Sequence, residues 1–408
     1  MRRETTPSSG SSMKKTGNPM TNLLVKSAML SLVMSVFLGA MGSASAQAAT
    51  VRGSTFPAPL HMDLMPAGWT YSPAVGTSEN AAFLTDASVS LAAGESPLTS
   101  SILATYTNAP IWGSVIQVPV AAGAVLLPYK ENGVTTLNLT TAELCRIFSF
   151  SPAARNWNQI ATAADDGAAG PASAIQVVYR NEVAGSGTTY LLSRFLNAAC
   201  GPYLPVNKFF TVSSGFQAMV ATALPTLTPT QDANGDGLPD AWVGVQGDAG
   251  MSLASSQLHR LGYISPDPAY TSATNDHVAR VNGFMPTAPA IQAMLPAPPS
   301  GSNRLNPLNW VPGYVIPAGA YPIWGTTNLL LGQCYLGGFG AGTRGASFKS
   351  YLSGFSSGGF DLALAAHNLV PLPSTWKTAI TDAFLTGSDG NGLALGNAAD
   401  CSGIAGRP

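Results

Sequence analysis

Charged side chains are scarce in this chain of 408 residues, where they make up 10% of the sequence. The 19 lysines and arginines form no dense basic block, so we expect no binding to nucleic acid, which depends on neutralising a phosphate backbone. Any anionic ligand must therefore be held mostly by neutral donors such as hydroxyl and backbone N–H groups. Hydrophobic residues reach 46%, which argues against disorder, and the length allows two lobes with separate cores.

Histidine is also rare, and this bears on catalysis. None of the four histidines stands beside another candidate ligand or catalytic partner in the sequence; they are His61, His259, His277 and His367. A phosphatase needs an activated nucleophile or a two-metal cluster, and the sequence shows no such Ser/His/Asp arrangement. An enzyme is therefore an alternative prediction and not the main one.

Cysteine occurs four times, at Cys145, Cys200, Cys334 and Cys401. No two are close enough in sequence for the ligand pairs of a structural zinc site. An even number in an exported chain indicates two disulfides, for which three pairings are open. We favour Cys145–Cys200 with Cys334–Cys401, because each bridge would then close a long loop within one lobe.

The N-terminus has the order of a secretory signal peptide. Three lysines precede an apolar run, Ala28–Met41, and small residues, Gly42–Ala49, follow it. The alternative is a membrane anchor, but the run is shorter than the roughly 20 residues of a spanning helix. We predict that residues 1–48 are a signal peptide, cleaved after Ala46 or Ala48. They contain five of the 19 basic and one of the 20 acidic residues, so the cleaved chain has 14 and 19, a net charge of −5.

Strand-like and helical patterns alternate along the remainder, which predicts α/β lobes. The strand-like runs are Val115–Val120, Ala124–Tyr129, Ile175–Tyr179 and Asn328–Leu331. The helical patterns are Thr141–Ile147, Thr188–Ala199, Phe216–Ala223 and Thr375–Leu385. Stretches rich in Pro, Gly and Ser, at 161–172, 224–240 and 286–322, indicate surface loops.

Two segments in the first part of the chain carry oxyanion donors. After Gly53, which lets backbone approach a ligand, Thr55 offers a hydroxyl, and Thr55 and Phe56 offer backbone N–H groups. Further on, Thr77 offers a second hydroxyl, and Glu95 places an acid in an apolar setting. Taken alone, the first segment is also typical of an ordinary turn, and Glu95 of a surface carboxylate.

A third segment gives the strongest local signal. A strand-like run ends at Arg180, a turn rich in Gly, Ser and Thr follows at Gly185–Thr189, and an amphipathic helix begins. The free N–H groups and the positive end of that helix face whatever lies at the turn, and phosphate or sulfate is the expected ligand. Arg180 could add two parallel hydrogen bonds. The alternative is simple helix capping by Ser186 or Thr188.

The segment Asp232–Asp240 follows the pattern of a short calcium loop. Oxygen side chains stand at Asp232, Asn234, Asp236 and Asp240, with glycine for the sharp turn. It is not a full EF-hand loop, because Val243 occupies the twelfth position. The alternative is a solvated acidic turn; a bound calcium would be a structural brace of the second lobe, and no other cofactor is expected.

These segments, together with others in the same order, resemble the DING phosphate-binding proteins. They also resemble, more distantly, the phosphate receptors of bacterial ABC transporters. The resemblance extends from about Gly53 to Pro408. Its further blocks are Trp112–Pro119, Glu143–Ser149, Asn197–Cys200, Tyr263–Asp267, Tyr321–Leu329, Gln333–Tyr335, Val370–Lys377 and Leu395–Cys401.

The resemblance implies an α/β, type II periplasmic-binding-protein fold, in which two lobes are joined by a two-strand hinge and the ligand lies in the interlobe cleft. Lobe 1 would comprise residues 49–117 plus 321–408, and lobe 2 residues 118–320. The hinge strands are expected near Trp112–Val120 and Tyr321–Leu331. The resemblance also implies the disulfide pairing that we favour.

It implies further that phosphate is held by Thr55, Phe56, Thr77, Glu95, Arg180, Ser186, Gly187 and Thr188. An ionised carboxylate only accepts hydrogen bonds, so it favours phosphate, which still carries a proton, over sulfate. The sequence departs from the family in having Glu95 in place of Asp. It also has a longer spacing within Asn181–Gly185, which could move Arg180 out of register.

The predicted function is selective capture of inorganic phosphate for uptake. The chain would be a monomer, located in the periplasm or outside the cell, with an ABC-transporter permease as a partner. The alternatives are a DING-like secreted phosphatase and a surface or adhesion protein that has lost phosphate binding.

Overall fold

The computed structural model describes residues 48–73, 78–160, 170–271 and 277–408. The strands in these ranges are β1 (Ala49–Gly53), β2 (Trp69–Pro73), β3 (Leu91–Gly94), β4 (Val115–Ala124), β5 (Tyr129–Lys130), β6 (Asn138–Leu139), β7 (Gln176–Arg180), β8 (Val243–Val245), β9 (Arg260–Leu261), β10 (Arg280–Val281), β11 (Trp324–Gly332) and β12 (Val370–Pro371). The α-helices are α1 (Ala58–Leu64), α2 (Glu79–Thr85), α3 (Ser100–Leu103), α4 (Ala109–Trp112), α5 (Thr141–Phe148), α6 (Gly187–Ala199), α7 (Phe216–Val220), α8 (Gly247–Ser255), α9 (Pro268–Thr271), α10 (Ala288–Met294), α11 (Arg344–Ser357), α12 (Asp361–Ala366), α13 (Ser374–Ile380) and α14 (Ala398–Cys401).

A larger sheet forms the core of the first lobe, with strand order β12-β4-β11-β3-β1-β2. Strand β1 runs parallel to β2 and β3, whereas β11 runs antiparallel to β3 and β4. Every residue of β4 and β11 is buried; β4 is apolar apart from Gln117, whereas β11 also buries the polar residues Thr326, Thr327 and Asn328. The predicted strand at Val115–Val120 is the first part of β4.

A smaller sheet, in the order β5-β9-β7-β8, forms the core of the second lobe. Strand β7 runs parallel to both β8 and β9, and Arg180 at its end lies opposite Val245. Strands β6 and β10 form a separate parallel pair. Helix α6 follows β7 after a short turn, as the sequence predicts.

The chain passes between the two sheets at two adjacent points. The backbone N–H of Val125 donates to the carbonyl of Ile323 at 2.9 Å, and the Tyr321 hydroxyl donates to the Val125 carbonyl at 2.7 Å. Leu126 then pairs with Ile264 of the smaller lobe. The crossing therefore follows the end of β4 and precedes β11, while the predicted boundary at 117/118 falls inside β4.

The segment from α10 to Trp310 packs against the larger lobe. Gln292 donates to the Pro371 carbonyl at 2.8 Å, and Gln117 donates to the Pro307 carbonyl at 2.8 Å. Trp310 is fully buried, with its ring 4.4 Å from that of Phe384. This part of the predicted surface loop 286–322 is thus anchored by a buried tryptophan. Its contacts are with the larger lobe, whereas the sequence analysis assigned residues 118–320 to lobe 2.

Each lobe contains one disulfide, and the two bridges confirm the pairing that we favoured. Cys145 of α5 bonds to Cys200 at the end of α6, and Cys334 after β11 bonds to Cys401 of α14. The bridged residues are 55 and 67 positions apart, so each bridge closes a long loop.

The predicted signal peptide, residues 1–48, lies outside the described residues except for Ala48. Ala48 is exposed, and Ala49, the first residue of β1, is buried. No helix in the described ranges combines the length and the apolar character needed to cross a bilayer.

Candidate functional site

The loop that follows β1 supplies the first donors of the candidate site. A Cβ atom at Gly53 would lie 2.0 Å from the Tyr71 hydroxyl, so this close approach requires glycine. The Ser54 hydroxyl donates to Oε2 of Glu95 at 2.6 Å. Phe56 is buried with its ring against Gly123, so its side chain belongs to the core, and its backbone N–H is what it can offer to a ligand.

Glu95 lies directly after β3 and is completely buried. Burial is the main cause that raises the pKa of its carboxyl group to about 8, and the charges of Glu79 and Asp248 act in the same direction. Among the described residues, its Oε1 has no hydrogen-bond partner of good geometry, although the Thr327 hydroxyl lies close enough to lower the pKa. The carboxyl group thus has an unused acceptor atom.

The N-terminus of α6 supplies the smaller lobe's side of the site. Ser186 caps the helix by accepting a hydrogen bond from the Thr189 N–H at 3.2 Å, so the predicted capping is present. Thr188 and Gly187 are buried in the first turn. A Cβ atom at Gly187 would lie 1.8 Å from Oε2 of Glu95, so the carboxyl group of the larger lobe sits directly against the first turn of α6.

Arg180 is nearly buried and joins the two lobes. Its Nη2 donates to Oγ1 of Thr55 at 2.9 Å, its Nε donates to Oε1 of Glu182 at 2.6 Å, and its Nη1 lies 3.3 Å from Oδ1 of Asp248. Burial alone would lower the pKa of the guanidinium, but the two carboxylates raise it. Arg180 is therefore a fixed cation at the boundary of the lobes.

The longer spacing within Asn181–Gly185 does not displace this arrangement. The Asn181 N–H bonds to the Val245 carbonyl at 3.0 Å, and the Ser186 N–H bonds to the Ser214 carbonyl at 2.8 Å. Val183, in the middle of the segment, is 91% exposed. The extra length is accommodated by an outward turn, which leaves Arg180 and Ser186 on the cleft side.

The structure thus brings together seven of the eight predicted phosphate-binding residues, as a continuous group of contacts or chain neighbours. They are Thr55, Phe56, Glu95, Arg180, Ser186, Gly187 and Thr188. The eighth, Thr77, lies outside the described residues. Its neighbour Ser78 caps α2 by accepting a hydrogen bond from the Ala81 N–H at 3.3 Å.

Three acidic residues and one serine of this region were missed by the sequence reasoning: Asp248, Glu182, Glu79 and Ser54. Asp248 accepts a hydrogen bond from the Thr55 hydroxyl at 2.6 Å, and its other oxygen accepts one from the Ser265 N–H at 3.1 Å. The sequence around Asp248 did carry a signal for a binding site. Strand β8 is followed by Gly247 and the start of helix α8, which is the same strand–glycine–helix order as at Arg180 and Ser186. The order of neighbouring strands that places Asp248 beside Arg180 was not readable.

The predicted calcium loop is closed by its own backbone. Asp232 accepts from the Gly237 N–H at 3.0 Å, Asp240 accepts from the Ala233 N–H at 2.8 Å, and Asp236 accepts from the Leu238 N–H at 2.8 Å. Within the described part of the chain, no group of three or more His, Cys, Asp or Glu residues is arranged to hold a metal. Binding of calcium by this loop stays a prediction.

Residues 43–353 match the family model described as the PBP superfamily domain. The chain is 35% identical to alkaline phosphatase L of Pseudomonas aeruginosa over 92% of its own length and 98% of that protein's. It is also 35% identical to a phosphate-binding protein of an unknown prokaryotic organism, over 87% and 98% of the two chains.

Among solved structures, it resembles a high affinity periplasmic phosphate-binding protein, PfluDING, bound with phosphate at pH 8.5. That match has a TM-score of 0.72 and 30% identity, and covers 89% of this chain and 100% of the other. These similarities confirm the predicted resemblance to DING proteins and the two-lobed type II fold.

Proposed function

The chain belongs to the PBP superfamily, and on this premise we propose that it captures inorganic phosphate in the cleft between its two lobes. The observation that carries the proposal is that polar groups of both lobes meet: Nη2 of Arg180 donates to Oγ1 of Thr55 at 2.9 Å. The first turn of α6 adds N–H groups and the positive end of its dipole. The phosphate held by the solved relative supports phosphate over other oxyanions.

In the proposed mechanism, the lobes close on phosphate by bending at the two crossings beside Val125 and Ile323. Hydroxyl and N–H groups replace the hydration shell of the anion, and Arg180 offsets its charge. Above about pH 8, where Glu95 is ionised, its carboxylate would accept a hydrogen bond from the proton that hydrogen phosphate still carries. Sulfate carries no such proton, so the same carboxylate repels it.

Equilibrium binding of labelled phosphate, with arsenate and sulfate as competitors, tests the proposal. We expect arsenate to compete and sulfate to fail. Arg180→Ala should weaken phosphate binding by about 100-fold or more, because it removes a buried cation at the ligand. Arg280→Ala, at an exposed arginine of β10, is the matched control and should leave the affinity unchanged. Equal affinities for the two variants would remove Arg180 from the site.

Hydrolysis of phosphate esters is the second candidate function, and the name of one relative, alkaline phosphatase L, favours it. We propose binding as the main function because Glu95, the buried acid, is held by Ser54 and has no histidine beside it in the described contacts. His259 pairs with Glu131, and His367 pairs with Asp267. An ester hydrolysis assay with Glu95→Gln as control decides this: a turnover that depends on Glu95 would support the phosphatase.

We further propose that the protein is exported and acts outside the cytoplasm as a monomer, passing phosphate to a membrane permease. Two disulfides fit an oxidising compartment, and an exposed Ala48 before a buried Ala49 fits cleavage just before β1. N-terminal sequencing of the secreted or periplasmic protein should give a start at Gln47 or Ala49. An intact N-terminus in the cytoplasmic fraction would contradict export.

Calcium binding at Asp232–Asp240 is proposed only as a structural brace of the smaller lobe. Calcium that binds the folded chain must raise its melting temperature. We expect a rise in the wild type that is lost in Asp236→Ala, with magnesium as the control ion. Identical melting curves with calcium and with a chelator would show that the loop is a solvated turn.

A further inference from the structure

A second acid, Glu79, is buried beside the loop that carries Glu95. A Cβ atom at Gly94 would lie 2.4 Å from Oε1 of Glu79, so the carboxyl group of Glu79 rests on the residue that precedes Glu95. The next residue of α2, Asn80, donates to the carbonyl of Ser96 at 2.8 Å. Helix α2 therefore holds both sides of Glu95 through two consecutive side chains.

The surroundings of the two glutamates offer little compensating positive charge. Arg52 of β1 is the cation that acts on Glu79, and it also donates to the Ser72 hydroxyl at 3.3 Å. Burial and then the charges of both glutamates raise the pKa of Tyr71 of β2, whose hydroxyl donates to the Ser54 carbonyl at 2.5 Å. From the smaller lobe, Asp248 adds a third negative charge that acts on Glu95.

Arg180 does not neutralise Glu79 and Glu95, because the charge of its guanidinium is already shared by Glu182 and Asp248 within the smaller lobe. The cleft therefore contains four carboxyl groups, Glu79, Glu95, Glu182 and Asp248, against two guanidinium groups. Two interacting buried carboxyl groups do not ionise independently, because the first negative charge opposes the second.

We infer that Glu79 is a positioning residue for phosphate recognition. It forms a coupled pair with Glu95, so that the total number of protons on Glu79, Glu95 and the bound anion determines whether phosphate binds. The inference rests on the proposed function. Phosphate then binds when the pair and the anion jointly hold enough protons, so affinity falls as pH rises. Glu79 determines how steep that fall is, although Glu95 is the group placed at the ligand.

A fall of phosphate affinity with rising pH agrees with the burial of Glu79 and Glu95. Burial raises the pKa of Glu79 to about 7, against a lowering by its own backbone N–H and by Arg52. Above about pH 8, the raised pKa of Glu95, both glutamates become negative, and an added phosphate anion meets two like charges. Below it the pair retains protons, and the repulsion is relieved.

Isothermal titration of phosphate from pH 6 to pH 9 tests the inference with Glu79→Gln. We expect wild-type affinity to fall with pH and the variant to show a flatter profile, with affinity about tenfold above wild type at pH 8.5, the change for one pKa unit of coupling. Glu143→Gln is the matched control, because this residue caps α5 of the other lobe and glutamine can still fill that role. Superimposable pH profiles of Glu79→Gln and wild type would overturn the inference.

A second measurement needs no variant and no ligand. In a carbon NMR titration of the glutamate side-chain carboxyl groups in the wild-type protein, the coupled pair should give two resonances that titrate well above 4.5, the ordinary value for glutamate. Two resonances that titrate independently near that value would overturn the inference. If the wild type bound no phosphate at any pH, the proposed function would fail, and the NMR titration would still decide whether the pair exists.

Discussion

Thr55 of the larger lobe donates its hydroxyl proton to Asp248 of the smaller lobe, with Oγ1 and Oδ2 2.6 Å apart. The same hydroxyl oxygen accepts a hydrogen bond from Arg180 at 2.9 Å. One threonine hydroxyl therefore links a cation and an anion of the opposite lobe. Because Asp248 is also the charged partner of a buried arginine, its removal has consequences beyond the loss of one hydrogen bond.

We predict that Asp248→Asn lowers the free energy of unfolding by about 3 kcal/mol, because it leaves part of a buried charge uncompensated. Asp361→Asn is the matched control. Its carboxylate pairs with Lys377 at 2.7 Å but is 39% exposed, so it should cost less than about 1 kcal/mol. Urea unfolding measures both, and equal losses in the two variants would contradict the assigned role of Asp248.

The contact between Gly187 and Glu95 yields a steric prediction. In Gly187→Ala, the new methyl group would lie 1.8 Å from Oε2 of Glu95. The carboxyl group can move only by giving up its hydrogen bond from Ser54, so closure of the lobes is opposed. We expect phosphate affinity to fall at least about tenfold, which corresponds to a cost of about 1.4 kcal/mol, within the usual range for overpacking.

Gly201→Ala is the control for this substitution, because a Cβ atom there would have no neighbour within 4 Å. Phosphate titration of both variants, with melting curves to confirm folding, separates the closure effect from a general effect of alanine. An unchanged affinity in Gly187→Ala would mean that Glu95 does not approach α6 in the closed protein.

The local part of the site could be predicted from the sequence, and its tertiary part could not. Arg180 and Ser186 were found because a strand end, a glycine turn and a helix start follow one another along the chain. Asp248 acquires its role from the pairing of Val245 with Arg180, which depends on sheet order, whereas Glu182 contacts Arg180 from only two residues along the chain. Glu79 reads as an ordinary first-turn acid of a helix, and only packing on Gly94 distinguishes it.

The fold shows the same division. Strand β4 and helix α6 carry long apolar patterns and were predicted close to their observed positions. Strands β5 and β9 have two residues each, too few to show any periodicity. The segment around Trp310 is rich in proline and was predicted to be a surface loop, yet its tryptophan is buried against Trp376 and Phe384. Composition missed both the burial of this tryptophan and the short helical turns, Gly301–Leu305 and Pro307–Trp310, that lead to it.

The two buried glutamates also predict how stability depends on pH. The pKa of Glu95 in the folded protein is raised to about 8 and that of Glu79 to about 7, from an ordinary value of 4.5. Groups with raised pKa values stabilise fully below the unfolded value, and their contribution is lost as pH rises through the folded one. Stability should therefore fall between about pH 4.5 and 8.

His61 acts in the opposite sense at lower pH. Burial lowers its pKa from 6.5 to about 3, so its contribution is lost as pH falls through that range. We therefore compare unfolding free energies at pH 6.5 and 8.5, where His61 stays neutral in the folded protein and its titration in the unfolded chain affects both variants equally. We expect the wild type to lose about 2 kcal/mol between them and Glu95→Gln to lose clearly less, since each pKa unit corresponds to about 1.4 kcal/mol. Parallel losses in both proteins would contradict the raised pKa of Glu95.

His367 forms a second link between the lobes, away from the proposed phosphate site. Its Nδ1 lies 2.7 Å from Asp267 of the smaller lobe, and its Nε2 lies 3.1 Å from Asp63 of the larger lobe. The neighbouring Asn368 donates to the Pro266 carbonyl at 3.0 Å. These contacts can exist only when the lobes are together, so they favour the closed arrangement.

We predict that His367→Ala lowers phosphate affinity by about three- to tenfold without changing any residue of the site, because a smaller closed population reduces the apparent affinity in proportion. His259→Ala is the control, since His259 pairs with Glu131 inside the smaller lobe at 2.8 Å. Titration calorimetry gives the affinities, and small-angle scattering gives the degree of closure with and without phosphate. If His367→Ala closed as fully as the control and bound phosphate equally well, the link would be a consequence of closure and not a cause of it.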